Sequence, residues 1–175
     1  MNAAWPELPI DLTPEVRMRR AVLSDVDAIL RLLGDDAVSA GRGDRNRPED
    51  RPAYERAFAA IDRDPAQLLL VAESEFDGVV GTMQLTLIPG MARRGALRLQ
   101  IEAVRVRSDR RSGGIGGRMI RWAMDAAPGL GAALVQLTSD ASREDAHRFY
   151  ERLGFAPSHV GFKYVPPAAV VSPPD

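Results

Sequence analysis

The stretch Arg111-Ser112-Gly113-Gly114-Ile115-Gly116-Gly117 carries the residue types most suited to gripping an anion. Glycine lets a backbone take positive φ and come close to a ligand. Where a helix opens, its first N–H groups have no partner inside the helix and carry partial positive charge, which attracts phosphate. Arg111 adds charge-assisted hydrogen bonds. The same glycines would also serve a plain flexible turn with a helix cap. Two phosphate motifs fail on inspection. The Walker pattern needs a Gly-Lys pair, and Lys163, the only lysine, follows Phe162. The dinucleotide fingerprint from Gly114 and Gly116 would put its third glycine at Met119.

Just before this turn lies a strand with a break in its pattern. Its apolar residues fall at Leu97, Leu99, Ile101 and Ala103, then change phase to Val104 and Val106. A strand alternates faces with period two, so a one-residue slip would turn its core face outward. A β-bulge near Glu102 to Val104 repairs the phase and releases backbone groups from the ladder. Arg98, Gln100 and Glu102 share the polar face of this strand. Glu102, at the bulge, is a candidate base. A free Glu titrates at about 4.3, so it would need burial or a water relay to take a proton near neutrality. Its plain reading is a solvent-facing strand carboxylate.

These residues need elements to hold them. Val16 to Ala21 reads as a first strand, and Ser24 as the cap of a helix with Val26, Ile29, Leu30 and Leu33 inward. Gly34 to Pro48 reads as a mobile loop. A second helix puts Tyr54, Ala57, Phe58 and Ile61 on one face. Gln67 to Glu73 is a buried strand, Asp77-Gly78 a hairpin turn, and Val79 to Ile88 its antiparallel return. After the turn Pro89 to Gly95, Leu97 to Arg107 continues the meander. A helix bearing Ile115, Met119, Trp122, Ala123 and Ala126 follows the glycine turn. Ala132 to Thr138 is then a buried strand, parallel to Leu97–Arg107 because the connection is a helical crossover. Ser142 and Asp145 suggest a capping box for a last helix with Ala146, Phe149, Tyr150 and Leu153 inward. Gly154 stops it. His159 to Val165 reads as a final strand. The expected class is mixed α/β: an antiparallel meander, then a parallel strand pair, flanked by about four helices. Residues 1–15 read as an N-terminal extension, 16–165 as one domain and 166–175 as a tail.

Composition closes several routes. The chain has 175 residues and no cysteine, which excludes disulfides, thiolate metal sites and a Cys nucleophile. Two histidines, His147 and His159, are too few for a typical zinc site, so no metal is expected. The net charge of −1 argues against a general nucleic-acid or membrane-surface binder. The arginines at 105, 107, 110 and 111 therefore point to local phosphate contacts. No apolar run is long enough to span a bilayer, and the first residues do not read as a signal peptide. A cytoplasmic setting is expected.

Arg-x-x-Gly-x-Gly at Arg111, Gly114 and Gly116, after a Val-x-Val strand end at Val104 and Val106, resembles the acetyl-CoA motif of the GNAT superfamily of N-acetyltransferases. The later run from Ala146 to Phe155, with Phe149, Tyr150, Leu153 and Gly154, resembles that family's second hallmark. The likeness covers the order of elements from Val16 to Val165, and its specific part is Ile101 to Phe155.

The resemblance implies a GNAT-like sheet whose bulged strand splays from its parallel neighbour. It implies pantetheine pairing near Ala103, Val104, Arg105 and Val106. Pyrophosphate would sit on Arg111, Ser112, Gly113, Gly114, Ile115, Gly116 and Gly117. A backbone N–H near Val104 would polarise the thioester carbonyl. Glu102 matches a position where the family often has an acid, and Tyr150 matches the tyrosine that serves the CoA sulfur, as donor of a proton or a hydrogen bond. The plain reading of Tyr150 is a core aromatic. Arg143 stands where the family often has Asn, and Ser139 or Asp140 are the substitutes. His147 reads as a surface residue; His159 borders either the final strand or the substrate mouth.

The implied activity is acetyl transfer from acetyl-CoA to a primary amine by direct attack in a ternary complex, with a small-molecule acceptor. The alternatives are a peptide or protein amine, or a CoA-binding sensor without turnover. The acceptor would enter beside residues 34–48, the second helix and Pro89 to Gly95, where Asp35, Asp36, Asp44, Glu49 and Asp50 stand among arginines. A homodimer is compatible with the apolar tail.

Overall fold

Period-two alternation of core and polar residues shapes the sheet of this protein, seen here in a computed structural model that describes residues 4–35, 47–164 and 166. The expected loop thus lies, over residues 36–46, outside the described residues. The chain divides into two compact units, Met1–Leu137 and Thr138–Asp175.

The first unit holds a six-stranded sheet in sequential order. Its strands are β1 (Ile10–Thr13), β2 (Val16–Arg20), β3 (Gln67–Ser74), β4 (Gly78–Ile88), β5 (Leu97–Val106) and β6 (Ala132–Leu137). Neighbours are antiparallel up to β5, and β5–β6 is parallel. The expected mixed α/β meander followed by one parallel crossover is therefore the observed fold. The stretch read as an extension contributes the edge strand β1. Trp5 also ties it to the unit by donating its indole N–H to the Pro65 carbonyl at 3.0 Å.

Among the described residues, the sheet is flanked by α1 (Val26–Gly34), α2 (Arg51–Arg63) and α3 (Ile115–Ala126). One sheet face carries Leu68, Leu70, Met83, Leu85, Leu99 and Ile101, all buried. It meets α3: a Cβ built on Gly81 would lie 3.5 Å from the Met119 sulfur. Burying each such side chain stabilises the fold by roughly 1.5–3 kcal/mol. The other face carries Val71 and Leu69 against Ile29 of α1 and Phe58 of α2. Tyr54, Phe58 and Ile61 of α2 are half-buried as expected, but Ala57 is exposed.

The start of α1 differs from the expected Ser24 cap. A 3-10 turn covers Leu23–Asp25, and the buried Asp25 accepts the Val22 N–H at 2.8 Å. Arg19 reaches the same carboxylate at 2.7 Å and Glu73 of β3 at 2.9 Å. Arg19 beside it holds the Glu73 carboxyl down to about 2. A tertiary ion network thus occupies the place a local serine cap would take.

The second unit contains α4 (Glu144–Arg152). Its N-cap is Arg143 with no side-chain cap bond. Ser142 instead turns back, donating its N–H and its hydroxyl to Asp140 Oδ1 at 3.0 and 2.7 Å. The capping-box expectation therefore fails, because Asp140 takes both donors. Gly154, at φ 98, follows the helix as expected. The expected last strand is absent over residues 159–164, and Val165 lies outside the described residues. Val160, Phe162 and Tyr164 do alternate, but they are exposed and no described strand pairs with them. Alternation proposes a strand; only a hydrogen-bonded neighbour makes one.

Candidate active site

The strand β5 organises the first unit's site. Glu102 pairs with Gln84 and Arg105 with Thr82, so Ala103 and Val104 together face the single residue Met83. This is the expected bulge. Ala103 takes φ 51, a left-handed conformation that costs a non-glycine residue on the order of 1 kcal/mol. Pairing with β6 reaches Ile101–Leu137 and goes no further. Glu102 to Val106 therefore have no ladder partner on that side. The Val104 carbonyl accepts the Arg105 guanidinium at 2.8 Å.

Beyond β5 the chain makes a 3-10 turn at Ser108–Arg110 and then the glycine turn. Ser112 and Gly114 both take positive φ, 67 and 79, and Gly114 is the N-cap of α3. The first helical bond is the Arg118 N–H to the Gly114 carbonyl at 3.0 Å. The N–H groups of Ile115, Gly116 and Gly117 thus precede the helical ladder and lie at its positive end. A Cβ on Gly113 would stand 3.3 Å from the Arg110 carbonyl, so this position has little room for a side chain.

Arg107, Arg110 and Arg111, before the turn, are matched by acids, while Arg118 beside Gly114 has no ion-pair partner among the described residues. Arg107 bonds Asp109 at 2.6 Å and Asp77 at 3.1 Å, and Arg110 pairs with Asp77. The Arg107 guanidinium holds the Asp109 carboxyl below the usual carboxylate range. Arg111 leans back to the Val106 carbonyl at 3.2 Å and lies 3.7 Å from Asp35. Asp35 also accepts the Ser108 N–H at 3.3 Å. Sequence reading missed both acids as partners, since Asp77 looked like turn chemistry and Asp35 like part of the loop.

Glu102 is exposed, with no hydrogen-bond or ion-pair partner among the described residues. On the same sheet face, four neighbouring strands carry a polar row: Gln67, Thr86, Gln100 and Gln136. Thr86 donates to Gln67 at 2.7 Å and Gln136 to Gln100 at 2.7 Å. Gln84, opposite Glu102, also donates to Gln67 at 3.1 Å. Gln100 is buried and the others are half-buried, and hydrogen bonding offsets the cost of placing these polar groups there. Only the register reveals that they form one row.

In the second unit, Tyr150 is half-buried between Phe149, with ring centroids 5.3 Å apart, and Phe155, at 6.0 Å. The Ser139 hydroxyl is buried without a hydrogen-bond partner in the described structure. Asp140 spends its Oδ1 on Ser142. His147 is not a plain surface residue: it is half-buried, and its Nε2 bonds the Asp140 carbonyl at 2.8 Å. It latches the loop that carries Ser139. His159 is exposed and bonds Ser158 at 2.8 Å.

The profile of the Acetyltransferase (GNAT) family matches residues 28–155. The chain belongs to the GNAT acetyltransferase family. An aminoalkylphosphonate N-acetyltransferase of Salmonella typhimurium is 28% identical over 152 residues, 87% of this chain and 92% of that protein. The structure of a transcriptional regulator from Bacillus halodurans C-125 is 38% identical with a TM-score of 0.81, covering 86% of this chain and 99% of the other. Glucosamine-6-phosphate N-acetyltransferase from Arabidopsis thaliana shares the fold at 21% identity and a TM-score of 0.68, covering 86% and 97%. As a GNAT protein the chain is an acyltransferase that acts on an amine, and the family generally uses acetyl-CoA. Among the described residues, no helix is long and apolar enough to cross a membrane.

Proposed function

We propose that this GNAT protein transfers an acetyl group from acetyl-CoA to the primary amine of a small molecule, by direct attack in a ternary complex. The observation that carries the reading is the bulge at Ala103 and Val104, set between Glu102 and the left-handed glycine turn on a strand that β6 leaves unpaired beyond Ile101. The small-molecule acceptor has the support of the similar aminoalkylphosphonate N-acetyltransferase.

The residues fit a CoA thioester. The N–H groups of Ile115, Gly116 and Gly117, ahead of the helical ladder, suit the pyrophosphate, and Arg111 adds charge beside it. Backbone groups from Ala103 to Val106 suit the pantetheine amides. The orphaned Ser139 hydroxyl suits a polar atom of the same arm, a better substitute for the family Asn than Asp140, whose Oδ1 is engaged.

In the reaction the amine nitrogen forms a bond to the thioester carbonyl carbon and the C–S bond breaks. Glu102 takes the amine proton through a water, since it is exposed rather than desolvated. The Val104 N–H holds the carbonyl oxygen as negative charge develops. Tyr150 gives its phenolic proton to the departing sulfur.

Acetyl-CoA consumption against a panel of small amines tests this. Glu102→Gln should lower kcat roughly 100- to 1000-fold and Tyr150→Phe about 10-fold or more. Tight CoA binding with no turnover on any amine, or turnover indifferent to both substitutions, would overturn it.

A further inference from the structure

The turn and the bulge fix the direction in which an acceptor lies. Phosphates at the C-terminal end of β5 and a thioester at the bulge leave the N-terminal half of the strand, from Glu102 back to Arg98, for the amine. The polar row through Gln100 lies along this half, and Arg98 is on the same face four residues before Glu102. Their Cα atoms are roughly 13 Å apart on an extended strand.

This end of the sheet has an unusual charge distribution. From Gly78 to Ile101 there is no Asp or Glu, while Arg93, Arg94 and Arg98 all occur there. The flanking stretches Gln67–Ala72 of β3 and Ala132–Leu137 of β6 bring no acid either. None of the three arginines has an ion-pair or hydrogen-bond partner among the described residues. Arg98 is half-buried, and its guanidinium lies along the hairpin, with Nε and Nη2 3.9 and 4.0 Å from where a Gly90 Cβ would stand. Arg93 and Arg94 form that hairpin with φ of 55 and 61. Left-handed backbone at two successive arginines costs on the order of 1 kcal/mol each, and such strain concentrates where a ligand is handled. Elsewhere in the unit Arg17, Arg19, Arg51, Arg107 and Arg110 pair with acids, while Arg20, Arg31, Arg56, Arg118 and Arg121 have no ion pair among the described residues; what sets Arg93, Arg94 and Arg98 apart is their clustering in an acid-free stretch.

We infer that the acceptor is an amine carrying an anionic group at its far end, and that Arg98 is the residue that selects it. This inference rests on the N-acetyltransferase reading above. The amine reaches Glu102, the polar row takes the intervening atoms, and Arg98 leaves its place along the hairpin to bond the anion. Arg93 and Arg94 raise the positive potential at the entrance. Carboxylate, phosphate and phosphonate share the chemistry that a guanidinium fork recognises.

The test compares acetylation of an aminoalkyl phosphonate, an ω-amino carboxylate and a neutral alkylamine of equal length. The expected result is a kcat/KM at least about 10-fold higher for the anionic acceptors. Arg98→Ala should remove this preference through KM, by roughly 10- to 100-fold, and Arg98→Lys should restore part of it. The two anionic arms show which anion is preferred. Equal kcat/KM for neutral and anionic amines, or an Arg98→Ala defect that falls on kcat for all three alike, would overturn the inference. If no amine is acetylated, the enzyme reading fails. The inference is then read from calorimetric binding of the aminoalkyl phosphonate to the CoA-saturated protein. Binding weakened about 10-fold or more by Arg98→Ala supports the anion site, and binding unchanged by it refutes the site.

Discussion

The two ends of β5 treat arginine in opposite ways. At the C-terminal end Arg107, Arg110 and Arg111 each have an acid within ion-pair reach, supplied by Asp77, Asp109 and Asp35. At the N-terminal end Arg93, Arg94 and Arg98 have none among the described residues. The difference lies in how each end would hold an anion. The glycine turn would use backbone N–H groups and a helix terminus, so Arg107 and Arg110 are free to serve as struts that join β5 to the β3–β4 hairpin, while Arg111, 3.7 Å from Asp35, also lends charge to the turn. At the hairpin end the groups offered to an anion are the side chains of Arg93, Arg94 and Arg98. At these two ends of β5, the acid-matched Arg107 and Arg110 read as scaffold and the unmatched Arg98 as the group offered to an anion.

The largest expected effect comes from removing the backbone device. Gly114→Val forces a branched residue into φ 79 and should weaken CoA on the order of 100-fold in calorimetry, with the neutral-to-anionic acceptor ratio kept. Loss of that ratio together with CoA affinity would mean the two ends are one site.

A second prediction probes matched charge as scaffold. Arg19 holds Glu73 down to about 2 from an ordinary value of 4.5. A depressed acid contributes its stability above the ordinary value and loses it as pH falls towards the folded one. Wild type should therefore lose on the order of 2 kcal/mol between pH 4.5 and 2 that Glu73→Gln never has. Parallel urea melts across that range would show it, and identical pH slopes for the two proteins would count against the network.

Smaller still is the junction between the ends. Ala103→Gly relieves a left-handed alanine and should raise the unfolding free energy by about 1 kcal/mol if the bulge persists without ligand. A destabilised variant would place the strain elsewhere. The smallest effect belongs to a half-exposed strut. Asp77→Asn should cost less than about 1 kcal/mol, since such pairs are screened by solvent and salt. It should also make CoA binding more salt-sensitive, because Arg107 and Arg110 are released; an unchanged salt slope would show that neither reaches the phosphates.

Much of this was legible in the residues. The phase slip between Ala103 and Val104 marks the bulge because strand alternation has an integral period of two. The glycines from Gly113 to Gly117 mark the turn because positive φ and close approach are properties of single residues. The order of strands and helices follows from the same local rules, and the crossover fixes β6 as parallel. Three features stayed hidden. The Ser24 cap gave way to Asp25, because the Arg19 guanidinium arriving from β2, held also by Glu73 of β3, outweighs one local hydroxyl. The strand read at residues 159–165 has alternation but no described partner. His147 looked like a surface residue until Asp140 folded back on it.

The sequence by itself therefore determined what is local, namely most element types, the bulge and the glycine turn, and it nominated Glu102 and Tyr150 as candidates. The tertiary structure decided what depends on register and charge pairing. It aligned Gln67, Thr86, Gln100 and Gln136 into one row, matched Asp35 and Asp77 with arginines distant in sequence, and left Arg98 unmatched at the hairpin end of β5. Coulomb attraction and hydrogen bonding act between neighbours in space, and a linear pattern does not list those neighbours.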